Sequence, residues 1–236
     1  MKRRDFVKQI VAGSTALALF PTPTATALDA AVRVSSSLGS FTPGTLEAVG
    51  YLGGRAAAQH TVRTPGVATQ LDLSLDLSGR PFARDAKDAV FVYAALKDAH
   101  GTVVPDAWEN VFFGSTGGVT VVGANPFSSE AGIAAIVVQA EAPARGAVYA
   151  LSILRDGEQV RILSAATPAG GDVMPFEVRF TTDGSAPGPQ SPRYTGPVAA
   201  TGRVRAALFA AGRAVAQADT AAEKFKVQGS TAMVED

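Results

Sequence analysis

The chain contains no cysteine, so disulfide staples and thiolate chemistry are excluded. It has two histidines, His60 and His100, and one tryptophan, Trp108. A Ser-His-Asp triad or a histidine-based metal centre therefore has very little to draw on. Charged residues make up only 18% of the sequence, which suits many turns and few long solvated helices. No apolar run reaches the ~20 residues of a bilayer-crossing helix. No basic cluster follows the first few residues, so the electrostatic footprint of a nucleic-acid-binding surface is missing. What is plentiful is punctuation. With 24 Gly and 14 Pro among 236 residues, a hydrophobic content of 47% is broken into short runs. That fraction is enough for a globular core.

The first 27 residues read as a leader. Lys2, Arg3, Arg4 and Lys8 give a basic start, Ile10 to Phe20 a short apolar run, and Ala25-Thr26-Ala27 a small-residue cleavage pattern. Arg3-Arg4-Asp5-Phe6-Val7-Lys8 resembles the twin-arginine export signal, in which Arg3, Arg4 and Phe6 carry recognition and Ala25 and Ala27 flank cleavage. The resemblance implies export of a folded protein across a bacterial inner membrane, a periplasmic or secreted location, and membrane contact only during export. Of 21 basic and 21 acidic residues, four basic and one acidic leave with residues 1–27, so the remainder holds 17 and 20.

After the leader the pattern is all-β. The stretch Ala89 to Val138 is the clearest: Val90–Leu96, Val111–Phe113 with Val119–Val122, and Ile133–Val138 are β-branched and aromatic runs. They are separated by Asp98-Ala-His-Gly101, Gly114 to Gly118, and Asn125-Pro126, which are turn signals. Upstream, Leu46–Val49 and Arg55–Arg63 predict two strands about a Gly53-Gly54 hairpin turn. Thr64-Pro-Gly66 marks a boundary. Leu71, Leu73, Leu75 and Leu77 alternate with Asp72, Ser74 and Asp76, the pattern of a half-buried strand. Ala147–Leu154 and Gln159–Leu163 flank an Asp156-Gly157 turn, Ser164 to Gly171 reads as a linker, and strands follow at Phe176–Phe180, Arg203–Phe209 and Lys224–Val227. The expected organisation is tandem immunoglobulin-like β-sandwich domains. Residues 28–66 form a partial β domain, 67–165 a sandwich, and 172–228 a small β domain. Two or three strands do not make a stable sheet alone, so the 28–66 piece needs a partner.

Few residues invite a chemical role. Glu109 and Glu130 are the carboxylates available for acid/base work, against the reading that they are surface or turn residues. Trp108 and Tyr194 are the candidate ligand-binding residues, exposed over a shallow groove, with Trp108 as a sugar-stacking platform against a core reading. The tyrosines are scattered, with no aromatic stripe. Asp183-Gly184 lacks the further carboxylates of a calcium loop, and the glycine-rich Gly114 to Gly118 lacks the helix and lysine of a phosphate loop. No cofactor, metal or catalytic residue is assigned.

Three stretches resemble known families. Phe41-Thr-Pro-Gly-Thr-Leu-Glu-Ala-Val-Gly-Tyr51 and His60-Thr-Val-Arg-Thr-Pro-Gly66 are similar to the end of an accessory β domain that follows the barrel in family 2 glycoside hydrolases of the β-galactosidase type. Val90 to Gly101, Val104-Pro-Asp-Ala107, Gly123-Ala-Asn-Pro126 and Glu130-Ala-Gly-Ile-Ala134 resemble the next immunoglobulin-like domain of those enzymes. Phe180-Thr-Thr-Asp-Gly-Ser-Ala-Pro187, Ser191-Pro-Arg-Tyr-Thr-Gly-Pro197 and Arg205-Ala-Ala-Leu-Phe209 look like the C-terminal domain of chitobiase-type hexosaminidases. The resemblance implies carbohydrate degradation. Such enzymes work through two carboxylates on a barrel of roughly 250 residues with strand–helix alternation. No such alternation is present in this sequence. The expectation is an exported non-catalytic accessory module whose partner is a separately encoded glycoside hydrolase or a second copy of itself. A carbohydrate-binding module of the cell envelope, with polysaccharide as partner, is the alternative, and a β-galactosidase-like hydrolase the third reading.

Overall fold

The computed structural model describes residues 43–224. The leader residues, the stretch 28–42 and the strand expected over Lys224–Val227, beyond its first residue, lie outside them. Among the described residues every regular element is a strand: β1 Thr45–Leu52, β2 Arg55–Arg63, β3 Gln70–Leu75, β4 Ala89–Lys97, β5 Asn110–Ser115, β6 Val119–Val122, β7 Phe127–Ser128, β8 Ile133–Ala140, β9 Gly146–Asp156, β10 Gln159–Ala169, β11 Phe176–Thr181, β12 Val198–Ala199, β13 Arg205–Ala210 and β14 Arg213–Asp219. The chain divides into two units, at Thr64 and Pro65.

The described residues of the first unit form the hairpin β1–β2. Gly53 and Gly54 both have positive φ, 57° and 78°, which suits a two-residue turn matched to strand twist. The antiparallel register sorts the side chains by face. Leu46, Ala48 and Gly50 lie across from Val62, His60 and Ala58. Thr45 and Glu47 lie across from Arg63 and Thr61 on the other face. There Gln59 Nε2 donates to Glu47 Oε1 at 2.5 Å, and Arg63 Nε to Thr45 Oγ1 at 3.2 Å.

The second unit is built on one sheet with a layer on each side. Its middle sheet has the order β12-β10-β9-β5-β7. A four-stranded sheet, β3-β4-β8-β6, covers one face, and a three-stranded sheet, β11-β13-β14, covers the other. Two cores result. Val111, Phe113, Val148, Ala150 and Leu163 of the middle sheet pack with Leu71, Val92, Leu96, Ala134 and Ile136 of the four-stranded sheet. Phe112, Tyr149, Leu151, Val160 and Ile162 pack with Val178, Ala206, Leu208 and Ala216 of the three-stranded sheet. Alternation along a strand puts neighbouring residues on opposite faces, so β9 feeds both cores and is buried from Gly146 to Ile153.

This arrangement corrects one sequence expectation and adds a finding on the glycine-rich run. Ser164 to Gly171 is not a linker, because β10 continues to Ala169 and pairs with β9 along its whole length. An extended edge partner satisfies its backbone where a free linker would need solvent. Val111–Phe113 and Val119–Val122 do not share a sheet, because the chain passes from the middle sheet to the four-stranded one between them. The passage runs through Gly117 and Gly118, both at positive φ and both tight against the segment from Glu141 to Gly146. Gly114 has a different reason to be glycine. A Cβ there would stand 1.8 Å from the carbonyl oxygen of Val215, so β14 crosses β5 at backbone contact. The glycine-rich run thus serves close packing.

Candidate functional site

Of the two residues singled out for ligand binding, Tyr194 packs on a core and Trp108 is partly exposed. Tyr194 lies between β11 and β12, half-buried on the second core. Its hydroxyl accepts the backbone N–H of Ile162 at 3.0 Å, and its ring meets Phe180 edge-on with centroids 6.0 Å apart. That is the use of a tyrosine whose polar end needs a buried partner. Trp108 precedes β5 and is 37% exposed. Lys224 Nζ lies 5.7 Å from its ring centroid and 2.5 Å from Glu109 Oε2.

Beside them, Asn110 ties down the end of the described chain. It is buried, and its Nδ2 donates to the carbonyls of Ala222 at 3.1 Å and Glu223 at 2.9 Å. Its Oδ1 accepts from Ser128 Oγ at 2.6 Å. Glu109 is thus held in an ion pair beside a clasp, while Glu130 sits exposed in the turn before β8. His60 and His100 belong to different units. Among the described residues, no three His, Asp or Glu side chains gather as a metal-binding group.

The buried carboxylates organise loops. Asp98 accepts the backbone N–H groups of Gly66, Thr102 and His100, all at 2.9 Å, and these bonds, Gly66 first, hold its carboxyl below the usual value of 3.8. Asp88 accepts from Ala83 N–H at 2.9 Å and from Arg80 at 3.0 Å, with the same direction of shift, led by the Ala83 bond. Asp183 Oδ1 accepts from the Ser185 hydroxyl and N–H, which makes an ordinary Asx turn.

The feature that sequence reading missed lies on the solvent face of the four-stranded sheet. Phe91 and Tyr93 are two residues apart on β4, so they share a face. They are 51% and 37% exposed. Their rings are nearly parallel, at 12°, with centroids 6.3 Å apart. The register extends this surface across the sheet. Phe91 lies across from Val137, which lies across from Val122; Tyr93 lies between Ser74 and Ala135; Ala95 lies across from Ile133. Val122 and Ile133 are 44% and 41% exposed. The i, i+2 spacing of Phe91 and Tyr93 was a legible signal, obscured by the apolar residues that alternate with them.

Two depressions are the best formed among the described residues. One, about 320 Å³, is lined by Glu158, Thr182 and Ala199 to Gly202. The other, about 370 Å³, is lined by Thr69 to Leu71 and Ile162 to Ser164. Neither carries two carboxylates. Among the described residues no helix is long and apolar enough to cross a membrane.

The fold is therefore that of an all-β sandwich module, with two partly exposed aromatic rings on one sheet face. Residues 154–219 match the chitobiase/β-hexosaminidase C-terminal domain. That match takes in β10 to β14. Over 114 residues the chain is 32% identical to a β-galactosidase of Thermoanaerobacter pseudethanolicus, which is 48% of this chain and 14% of that enzyme. Among solved structures it is similar to a glycosyl hydrolase family 2 member from Bacteroides cellulosilyticus, at 21% identity and a TM-score of 0.43, over 58% of this chain and 19% of the other. It is also similar to a β-glucuronidase from glycoside hydrolase family 2, at 18% identity and a TM-score of 0.42, over 61% of this chain and 15% of the other. The chain thus spans only a small part of the relatives it matches.

Proposed function

We propose that this protein is a non-catalytic accessory module serving carbohydrate degradation, exported by its leader and docking on a glycoside hydrolase encoded separately. The observation that carries the reading is the kind of likeness found: a C-terminal domain family over 154–219, and 14% of the length of a β-galactosidase. The residues support it. Glu109 is tied to Lys224, Glu130 stands in an exposed turn, and a glycosidase needs two acids facing one bond at roughly 5–10 Å. The leader pattern at Arg3, Arg4 and Phe6 supports a periplasmic or secreted location.

The test is a panel of chromogenic β-galactosides, β-glucuronides and N-acetyl-β-glucosaminides offered to the purified full chain. The expected result is no turnover by the chain alone, and glycosidase activity that co-elutes with the tagged chain from an envelope fraction of the source cells. Turnover by the chain alone that disappears in Glu109→Gln or Glu130→Gln would overturn the reading. Replacing Arg3 and Arg4 by Lys is expected to retain the protein in the cytoplasm, and unchanged export would remove the leader from the argument.

A further inference from the structure

The geometry points to a glycan-binding platform on the solvent face of the four-stranded sheet, centred on Phe91 and Tyr93, for a neutral polysaccharide. The inference takes its choice of probe sugars from the accessory reading, and otherwise stands on this face alone.

Three features select the ligand. The first is ring geometry. Pyranoses carry an apolar face of C–H groups and an equator of hydroxyls, and the apolar face stacks on aromatic rings while the hydroxyls seek acceptors. Phe91 and Tyr93 offer two partly exposed rings side by side on one strand, with centroids 6.3 Å apart. They stand on β4, which is paired on both sides, so their backbone is fixed before any ligand arrives.

The second feature is charge. Among the strand residues of this face, Lys97 is the one basic side chain, and it is paired with Asp72 at 2.5 Å. Asp76, at the end of β3 beside Phe91, accepts from the Ser78 N–H and hydroxyl. Strand residues that offer acceptors and no unpaired basic side chain suit a hydroxyl-rich neutral ligand. It disfavours phosphates, anionic lipid surfaces and uronate polymers, which need Arg or Lys partners.

The third feature is area. Phe91, Tyr93, Val122 and Ile133, each partly exposed, present on the order of 300 Å² of apolar surface, given that an aromatic side chain covers roughly 150–250 Å² in full. A stable protein interface takes roughly 800 Å² from each partner. The patch is of the size that marks ligand sites on monomers, and it is too narrow for a dimer seam. Neither of the two best-formed depressions includes it, so the ligand lies on a surface as a chain does.

The experiment is native electrophoresis of the full chain in gels containing galactan, xylan, galactomannan or polygalacturonate, with depletion onto insoluble chitin in parallel. At least one neutral glycan is expected to retard or deplete the protein. Phe91→Ala and Tyr93→Ala are each expected to weaken binding about tenfold, and the double variant to abolish it. Tyr93→Phe, which keeps the ring, and Trp108→Phe, outside the face, are expected to bind within about twofold of the parent. Unchanged thermal unfolding of the exposed-face variants shows that the fold is intact. No binding to any neutral glycan, binding only to polygalacturonate, or retardation unaffected by the double variant would overturn the proposal. So would self-association in sedimentation that the double variant removes, since the face would then be a dimer seam. Loss of glycan binding with co-eluting hydrolase activity preserved would sink this inference and leave the accessory reading standing.

Discussion

The two outer sheets of the second unit rest on the same middle sheet and meet solvent in opposite ways. The four-stranded sheet turns Phe91, Tyr93, Val137, Val122 and Ile133 outward. The three-stranded sheet turns out charge. Glu177 pairs with Arg179 at 2.6 Å and with Arg193 at 3.7 Å, and Asp219 pairs with Arg203 at 2.5 Å and with Arg205 at 3.4 Å. Their inner faces differ too. The four-stranded sheet supplies Leu71, Leu73, Val92 and Ile136, whereas β13 and β14 supply Ala206, Ala210, Ala216 and Ala218 around Leu208. Small side chains let the three-stranded layer come close enough for β14 to touch the backbone of β5 at Gly114. The difference shows how one layer can be held by close approach and closed with ion pairs, while its counterpart, held by larger side chains, keeps a face available.

The sharpest way to break the comparison is to push the close layer away. Gly114→Ala places a methyl 1.8 Å from Val215 O, and backbone on both sides must move. The expected cost is about 3 kcal/mol or more, at the upper end for overpacking, read by chemical denaturation. A loss under about 1 kcal/mol would mean that β14 does not sit on β5. Next comes the clasp. Asn110→Ala strips the Ala222 and Glu223 carbonyls of their donor and leaves Ser128 Oγ without its acceptor. A loss of about 2–3 kcal/mol is expected, and Trp108 fluorescence should change as Lys224 leaves its ring.

Acid should act on the loops and on the charged face. Asp98 and Asp88, held low by the N–H groups of Gly66 and Ala83, and Asp219, held low first by Arg203, all have folded values below the ordinary 3.8. A depressed carboxyl stabilises fully above its unfolded value and loses that contribution as pH falls through the folded one. Unfolding midpoints should therefore be flat from pH 7 to about 5 and fall below about pH 4. Asp98→Asn should flatten part of that fall, and an unchanged acid limb would remove Asp98 from the account. The smallest effects belong to the two outer faces. Glu177→Gln should cost under about 1 kcal/mol and less in high salt. Phe91→Ala should shift stability by no more than about 0.5 kcal/mol, as exposed positions do. A larger loss at Phe91 would make that face part of the fold and leave the charged one as the open surface.

Much of this was legible in the chain. Leu71, Leu73 and Leu75 alternating with Asp72 and Ser74 gave β3 and its facing. Gly53-Gly54 and Asp156-Gly157 gave their hairpins, because turn chemistry is local. The strand β14, Arg213–Asp219, was not expected, since alanines at 214, 216 and 218 carry little β signal and are placed by packing against Leu208 and Val178. The run Ala147-Val-Tyr-Ala-Leu-Ser-Ile153 was read as a strand, but its lack of alternation, which reports burial on both faces, was the sign of the third layer. The platform at Phe91 and Tyr93 is hidden for a related reason: the buried Val92 and Ala94 that alternate with them make β4 look uniformly apolar. Trp108 and Tyr194 were chosen by residue type, and their partners Lys224 and Ile162 lie more than thirty residues away in either case, beyond what local sequence can report.

The shared middle sheet has a consequence for anyone who divides this protein. The family match begins at residue 154, inside β9 at the third residue from its end, and β9 pairs with β10 along its length. Excising 154–219 would take β10 with the last three residues of β9 and leave the rest of β9 behind, opening a hydrophobic wound on each product. A gene fragment cut at that point should yield two aggregation-prone halves, and nature's recombination points must lie elsewhere or carry a replacement for the missing wall.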